Sequence, residues 1–209
     1  MIAPTQWQDL VRRGRRRSFP AGGHLLDQGA RGEVVYALLA GRVRVVYTES
    51  DGNEVLVAIR GPGDLLGEYA QQDHGTHMAS VWALEDCETS ALAGEKFESA
   101  LEHRGLTEPL RRYMLAKARQ VGERVWRAAN LNTEQRMAQL FLEVLSAASA
   151  PDASRVPMTQ QQVADSLGVS RSSVTRLLAH WRRSGTVRIG QSRIELLDRS
   201  ALARRATGS

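Results

Sequence analysis

Residues 159–183 read Thr-Gln-Gln-Gln-Val-Ala-Asp-Ser-Leu-Gly-Val-Ser-Arg-Ser-Ser-Val-Thr-Arg-Leu-Leu-Ala-His-Trp-Arg-Arg. Guanidinium forks and short hydroxyls at Arg171, Ser172, Ser173 and Arg176 fall on one helical face. Groups of that kind read base edges in a major groove. Two short helices must carry them. Thr159 is placed to cap the first, with Val163, Ala164 and Leu167 on its inner face. Gly168 can take the positive φ of a sharp turn, and Val169 fills the corner. Ser170 caps the second helix, whose inner face is Val174, Leu177, Leu178 and Trp181. A small residue, a turn glycine and a buried β-branched residue at these offsets form a helix-turn-helix. Two short runs follow, 186–189 and 193–196, around Gly190-Gln191, and they read as a hairpin wing. Arg188, Gln191 and Arg193 are placed there to meet phosphate. An accidental two-helix turn in some other helical domain would lack both the wing and the local charge.

That charge is concentrated. Residues 159–194 hold six arginines and one acid, Asp165, which equals the whole chain's net +5. Such a footprint suits a polyanion. Other chemistry finds less support. Cys87 is the single cysteine, so an internal disulfide and any site needing several thiolates are excluded. Its strand-like surroundings make it a buried core residue rather than a redox sensor. His74 and His77 could ligate a metal or haem, as in a cupin-like metal-binding enzyme, which is the competing reading of another class. A cupin site needs a close His-x-His pair, a carboxylate and a further histidine at strand spacing, and this sequence supplies no such set. No apolar run approaches the roughly 20 residues of a membrane helix. Residues 12–17 are basic where a signal peptide would be apolar, so the expected location is cytoplasmic.

The elements that position the helix-turn-helix follow from periodicity. Residues 1–17 suggest a short helix ending in a basic run. From Phe19 to Leu92, strand-like segments recur at 24–26, 34–39, 43–47, 55–59, 79–84 and 89–92, separated by glycine turns. Asp51-Gly52-Asn53 is a hairpin signal between two of them. Many short strands imply an antiparallel β-barrel or jelly roll. Helical periodicity takes over at 95–103, then over a long helix from 106 to 129. Leu110, Met114, Ala118, Val121, Val125 and Ala128 form a narrow stripe there, read as a parallel dimer seam. Asn130 to Thr133 breaks that helix and caps the next, 134–147, and residues 204–209 read as a frayed tail. The fold class is therefore α+β. It divides into a sensor at 1–105, a dimerisation helix at 106–130 and a winged helix-turn-helix at 131–209.

From Phe19 to Leu197 the chain resembles the Crp/Fnr family of bacterial transcription regulators. The resemblance rests on "YALLAGRVRVVYTESDGNEVLVAIRGPGDLLGE", "QRMAQL" and "MTQQQVADSLGVSRSSVTRLL" in that order. It implies a cyclic-nucleotide-binding-type barrel, a homodimer on near-palindromic double-stranded DNA, and RNA polymerase as a further partner. By position, Thr159, Gln161, Ser170 and Ser173 correspond to backbone contacts, and Arg171 and Arg176 to base readers. Ser172 stands where many members carry glutamate, so the familiar half-site is not carried over. The implied ligand pocket comprises Gly67, Glu68, His77, Met78, Ala79, Val121 and Gly122. Gly67-Glu68 matches the pair that holds the ribose of a cyclic nucleotide. His77-Met78 replaces the Arg-Ser pair that holds the phosphate, and Val121 and Gly122 offer adenine no side-chain hydrogen bond. Each lost charged contact costs on the order of 2 kcal/mol, which argues against tight cyclic-AMP binding and leaves the effector unassigned.

Overall fold

The computed structural model describes residues 4–149, 154–190 and 194–208. Helix α1 (Pro4–Arg13) buries Leu10 and ends at Gly14, where an added Cβ would run into Ser90 of a neighbouring strand. The basic run does not continue the helix. It becomes strand β1 (Arg15–Phe19), whose five residues pair antiparallel with 87–91, because the close approach at Gly14 brings the backbone alongside that strand. Strands β2 (His24–Leu26), β3 (Val34–Ala40), β4 (Val43–Thr48), β5 (Glu54–Arg60), β6 (Leu65–Leu66), β7 (Ser80–Ala83) and β8 (Cys87–Ala93) follow. A short helix, α2 (Glu68–Gln72), interrupts them.

These strands make two antiparallel sheets, β1-β8-β3-β6 and β2-β7-β4-β5, so the architecture is the double-sheet jelly roll rather than a closed barrel. Strand β3 shows why its sequence reads as a continuous apolar run. Val34, Tyr36 and Leu38 face the second sheet with Leu25, Leu26, Val43, Leu66 and Val81. Val35 and Ala37, on the opposite side of the pleat, meet Leu10, Leu92, Phe97 and Leu101. Both faces of β3 are buried because helices α1 and α3 (Gly94–His103) cover the outer one.

Helix α4 (Thr107–Asn130) runs 24 residues, and Asn132 caps α5 (Thr133–Ser146) in a reciprocal capping box with Gln135. The C-terminal part comprises β9 (Arg155–Val156), α6 (Gln160–Leu167), α7 (Arg171–Arg183), β10 (Val187–Ile189), β11 (Ile194–Leu196) and α8 (Arg199–Thr207), with sheet order β10-β11-β9. The segment expected as a frayed tail is thus mostly helix. Asp198 caps α8, Leu202 and Ala206 are buried, and Arg205 pairs with Glu134 at 2.8 Å.

The two parts share one hydrophobic core. Val46, Leu56, Ile59 and Leu84 of the jelly roll cluster with Met137, Phe141, Val163, Leu178 and Trp181. A completely buried arginine, Arg42, crosses the junction. It donates bidentately to Glu85 at 2.6 and 2.8 Å, and through Nη1 to the carbonyls of Val144 (3.1 Å) and Arg155 (2.7 Å). Gly61 lies so close to the carbonyl of Ala147 that a Cβ would collide with it.

Candidate nucleic-acid interface and sensor pocket

The helix-turn-helix assembles from its local signals. Thr159 Oγ1 accepts from the Gln162 amide at 3.1 Å while the Gln162 side chain accepts from the Thr159 amide, closing a capping box. Gly168 adopts φ 61° at the corner. Ser170 Oγ accepts from the Ser173 amide at the start of α7. Ala164 and Val174 are wholly buried where the helices cross. Trp181 anchors the inner face of α7. Its ring meets Phe141 edge-on at 5.6 Å, and its indole N–H donates to Glu134 at 2.8 Å. That N–H, followed by the Arg205 guanidinium, holds Glu134 below the usual carboxylate range. Arg136 of α5 donates to the carbonyl of Leu167, which ties the end of α6 in place.

The outer face of α7 carries Arg171, Ser172 and Arg176 exposed, with Ser173 half-buried; Thr159, Gln161 and Ser170 are exposed around its N-terminal end. Among the described residues, Arg171, Arg176, Arg182 and Arg183 have no acidic group within ion-pair distance. An exposed cation with no internal acceptor is available to an external anion. Thr175 was not singled out from the sequence, yet it lies on this face and donates to Gln160 Oε1 of α6 at 2.7 Å. Its spacing of four from Arg171 is the signal that could have found it. Gln161 donates to Asp165 at 2.7 Å. Arg188 differs from the other arginines, because it pairs with Glu195 across the wing at 3.0 Å. Gln191 and Arg193 lie outside the described residues.

Between the sheets and α4 is a cavity of about 310 Å³. Six of the seven expected pocket residues line it: Gly67, Glu68, His77, Met78, Ala79 and Val121. Gly122 does not, since nothing lies within 4 Å of where its Cβ would be. The sequence reading missed Lys117. Its Nζ donates to Glu68 Oε1 at 2.6 Å and to the Leu65 carbonyl at 2.7 Å, and it sits 4.7 Å from the Tyr113 ring centre. Glu68 is 1% and Lys117 7% exposed. Burial pulls the Lys117 pKa down, with Glu68 acting in the opposite direction. Burial likewise lowers the His77 pKa, against the opposing pull of Asp27 and Glu68, and so disfavours the charged form of its imidazole. Arg60 turns to Gln120 at 2.6 Å.

These contacts change the reading of α4. Tyr113 accepts from the Leu65 amide (2.9 Å) and donates to Asp64 (2.8 Å), so Tyr113, Lys117 and Gln120 form an inward polar stripe at steps of four and three. Leu110 lies on the same face, buried at 2% in the sensor core, and Met114 packs against that core. Leu110, expected in the seam, is therefore covered by the chain's own helices and sheet, and Met114 is partly so. The outer face instead carries Leu115, Ala118, Gly122, Val125 and Ala129, at steps of three, four, three and four. Cys87 is buried, its thiol pushed up to about 12 chiefly by burial, which fits a core residue and opposes a redox role. His74 is exposed, 3.7 Å from Glu98, while His77 turns inward; among the described residues no three metal-ligating side chains converge. Among the described residues, no helix is long and apolar enough to cross a membrane.

Comparison with known proteins bears on both sites. The family profile of the cyclic nucleotide-binding domain matches residues 16–104, and that of the Crp-like helix-turn-helix domain matches residues 135–205. Fold and site together define a DNA-binding transcription regulator, not an enzyme. The cyclic AMP receptor protein of Thermus thermophilus is 30% identical over 99% of this chain and 95% of that protein. A Crp-family transcriptional regulator of the same organism superposes with TM-score 0.76 at 26% identity, over 92% of this chain and 97% of the other. FixK2 of Bradyrhizobium japonicum gives TM-score 0.78 over 91% and 96%, at 21% identity, a likeness of fold alone. The chain belongs to the Crp/Fnr family of transcription regulators.

Proposed function

We propose that the chain regulates transcription by binding near-palindromic duplex DNA as a homodimer, without tight binding of cyclic AMP. The observation that carries this reading is the outer face of α7, where Arg171 and Arg176 stand exposed and free of internal acids. Arg171, Arg176 and Ser172 would read bases. Thr159, Gln161, Ser170 and Ser173 would position the backbone. Arg188 would reach phosphate by releasing Glu195. Dimerisation is supported by the outer face of α4, where four of the eight exposed large hydrophobic side chains among the described residues lie: Leu115, Val121, Val125 and Trp126. A stripe with 3.5-residue spacing is covered by a parallel copy of itself. Two recognition helices would then enter major grooves one helical turn apart, roughly 34 Å. RNA polymerase is the partner that such a promoter-bound dimer would contact, and the cytoplasm is where it would act.

Selection from a random duplex library with purified protein, with and without cyclic AMP, tests this reading. An enriched inverted repeat, recovered equally in both arms, is the expected result. Recovery only with cyclic AMP would favour the alternative, a cyclic-nucleotide-dependent regulator, to which the match over residues 16–104 points. A monomer by sedimentation that enriches no duplex would end the proposal.

A further inference from the structure

The sensor cavity of about 310 Å³ stands near the lower end of the range of about 300–1,000 Å³ usual for small-molecule sites. Its wall is mainly apolar, with Leu26, Val45, Val57, Val81 and Val121 among the side chains that form it. Glu68, Lys117 and Arg60 interrupt that surface, at 1%, 7% and 8% exposed. Lys117 and Glu68 neutralise each other, with the ammonium on Oε1 alone. Arg60 has no such partner. Its Nη1 donates to the side-chain carbonyl of Gln120 at 2.6 Å, and among the described residues no carboxylate lies within ion-pair distance of it. Arg60 also borders a neighbouring cleft, but the acids there are engaged. Asp64 accepts from the Tyr113 hydroxyl and the Gly61 amide, Glu123 pairs with Arg127, and Glu143 pairs with Arg124. The cavity wall therefore holds one more positive charge than negative. A cation kept from water without a counterion is costly, and an anion placed beside it relieves that cost.

We propose that the sensor pocket takes a compact monocarboxylate with an apolar body, its head group held by Arg60 and Lys117 and its hydrocarbon lying among the strand side chains. The proposal rests on the reading above only in that cyclic AMP is not the tight ligand. A carboxylate brings one negative charge, which matches the surplus, and its two oxygens accept side by side from a guanidinium fork. Lys117 keeps a third proton beyond the two given to Glu68 and the Leu65 carbonyl. The hydrocarbon gains by leaving water in proportion to the area it buries. A phosphate dianion would add a second charge that this wall does not neutralise. A cyclic nucleotide suits the site less. Glu68 keeps Oε2 for a ribose hydroxyl, but the phosphate would meet His77, whose charged form burial disfavours, with Met78 and Ala79. The base would meet Val121. Met78 is 65% exposed, so the cavity is open to solvent on that side. Arg60 ends β5 and Lys117 belongs to α4, so a head group held by both ties the sheet to the long helix.

Isothermal titration calorimetry of the full-length protein, without DNA, tests this with octanoate, octan-1-ol and cyclic AMP as probes. Octanoate should bind once per chain, and about tenfold or more tightly than octan-1-ol, the increment of a charge-assisted hydrogen bond. Arg60→Gln should abolish that preference, weakening octanoate about tenfold while octan-1-ol changes by less than about twofold. A merely structural role for Arg60 would weaken both probes alike, and that result overturns the assignment. Equal wild-type affinity for octanoate and octan-1-ol overturns it as well. So does an octanoate titration without heat up to about 1 mM, the limit of a weak millimolar site, or cyclic AMP that binds more tightly than octanoate and displaces it. Where Arg60→Gln does not fold, the order of the three probes on the wild type still decides. A wild type that binds octanoate but retains no duplex overturns the DNA-binding reading and leaves the pocket assignment standing, so the two failures are told apart.

Discussion

Arg176 on α7 and Lys117 on α4 are both helical cations, yet their surroundings are opposite. Arg176 is exposed and has no acid within ion-pair distance, as is true of Arg171, Arg182 and Arg183 among the described residues. Lys117 is buried, with a carboxylate and a carbonyl both within 2.7 Å. Arg42 repeats the second pattern at the junction of the two parts, where its whole fork is consumed internally. The molecule thus separates cations bound into its own architecture from cations left open to solvent. Sequence charge counts do not make that distinction, because a buried lysine and a solvent-facing arginine each contribute one unit.

Two substitutions and one chemical probe can break or sharpen the contrast. Arg42→Ala should have the largest effect on stability. Removing one partner of a buried charge network typically costs about 3–5 kcal/mol, and chemical denaturation should show the loss; a stability change within about 0.5 kcal/mol, the range of ordinary surface substitutions, would erase the distinction. Arg176→Ala should do the converse. Stability should hold within that same surface range of about 0.5 kcal/mol, while affinity for the selected duplex falls by about 1–3 kcal/mol at one base preference. Equal loss on selected and random duplex would demote Arg176 to a phosphate contact. The smallest effect belongs to Cys87. Its folded pKa of about 12 lies above the unfolded value of 9.0. The associated stability is fully present below pH 9 and is lost as pH climbs towards 12. Thiol-reactive reagents at pH 8 should therefore leave DNA affinity unchanged and modify Cys87 only as the protein unfolds. Rapid labelling of folded protein would reopen the redox reading.

The helix-turn-helix was legible because every device that builds it is local. Two caps, a corner glycine and the inward residues all fall within residues 159–183. The jelly roll was legible in outline from its strand and turn alternation, although β1 and β6 escaped. A basic segment and a two-residue strand carry little periodic signal. The pocket was half legible. Gly67-Glu68 stood out by resemblance, but Glu68 meets a lysine 49 residues away, and no spacing rule reaches that far. Which apolar residues of α4 face the chain's own core was illegible for a related reason. Leu110 and Leu115 are equally apolar in sequence, and only the sensor packed beneath the helix decides which of them is already covered. The C-terminal helix α8 was missed because its burial rests on just Leu202 and Ala206, with Arg205 reaching back to Glu134.

The junction built by Val46, Leu56, Ile59 and Leu84 against Met137, Phe141 and their neighbours limits how this architecture can be recombined. Sensor and reader look like interchangeable modules on a map of the chain, but they are not cut along a solvent-filled seam. A chimera that grafted another relative's sensor onto this winged reader would have to match four apolar side chains, supply an arginine for two waiting carbonyls, and keep a glycine where the strand brushes the end of α5. A swap that left any of these unmatched would strand a buried guanidinium or open a void at the junction.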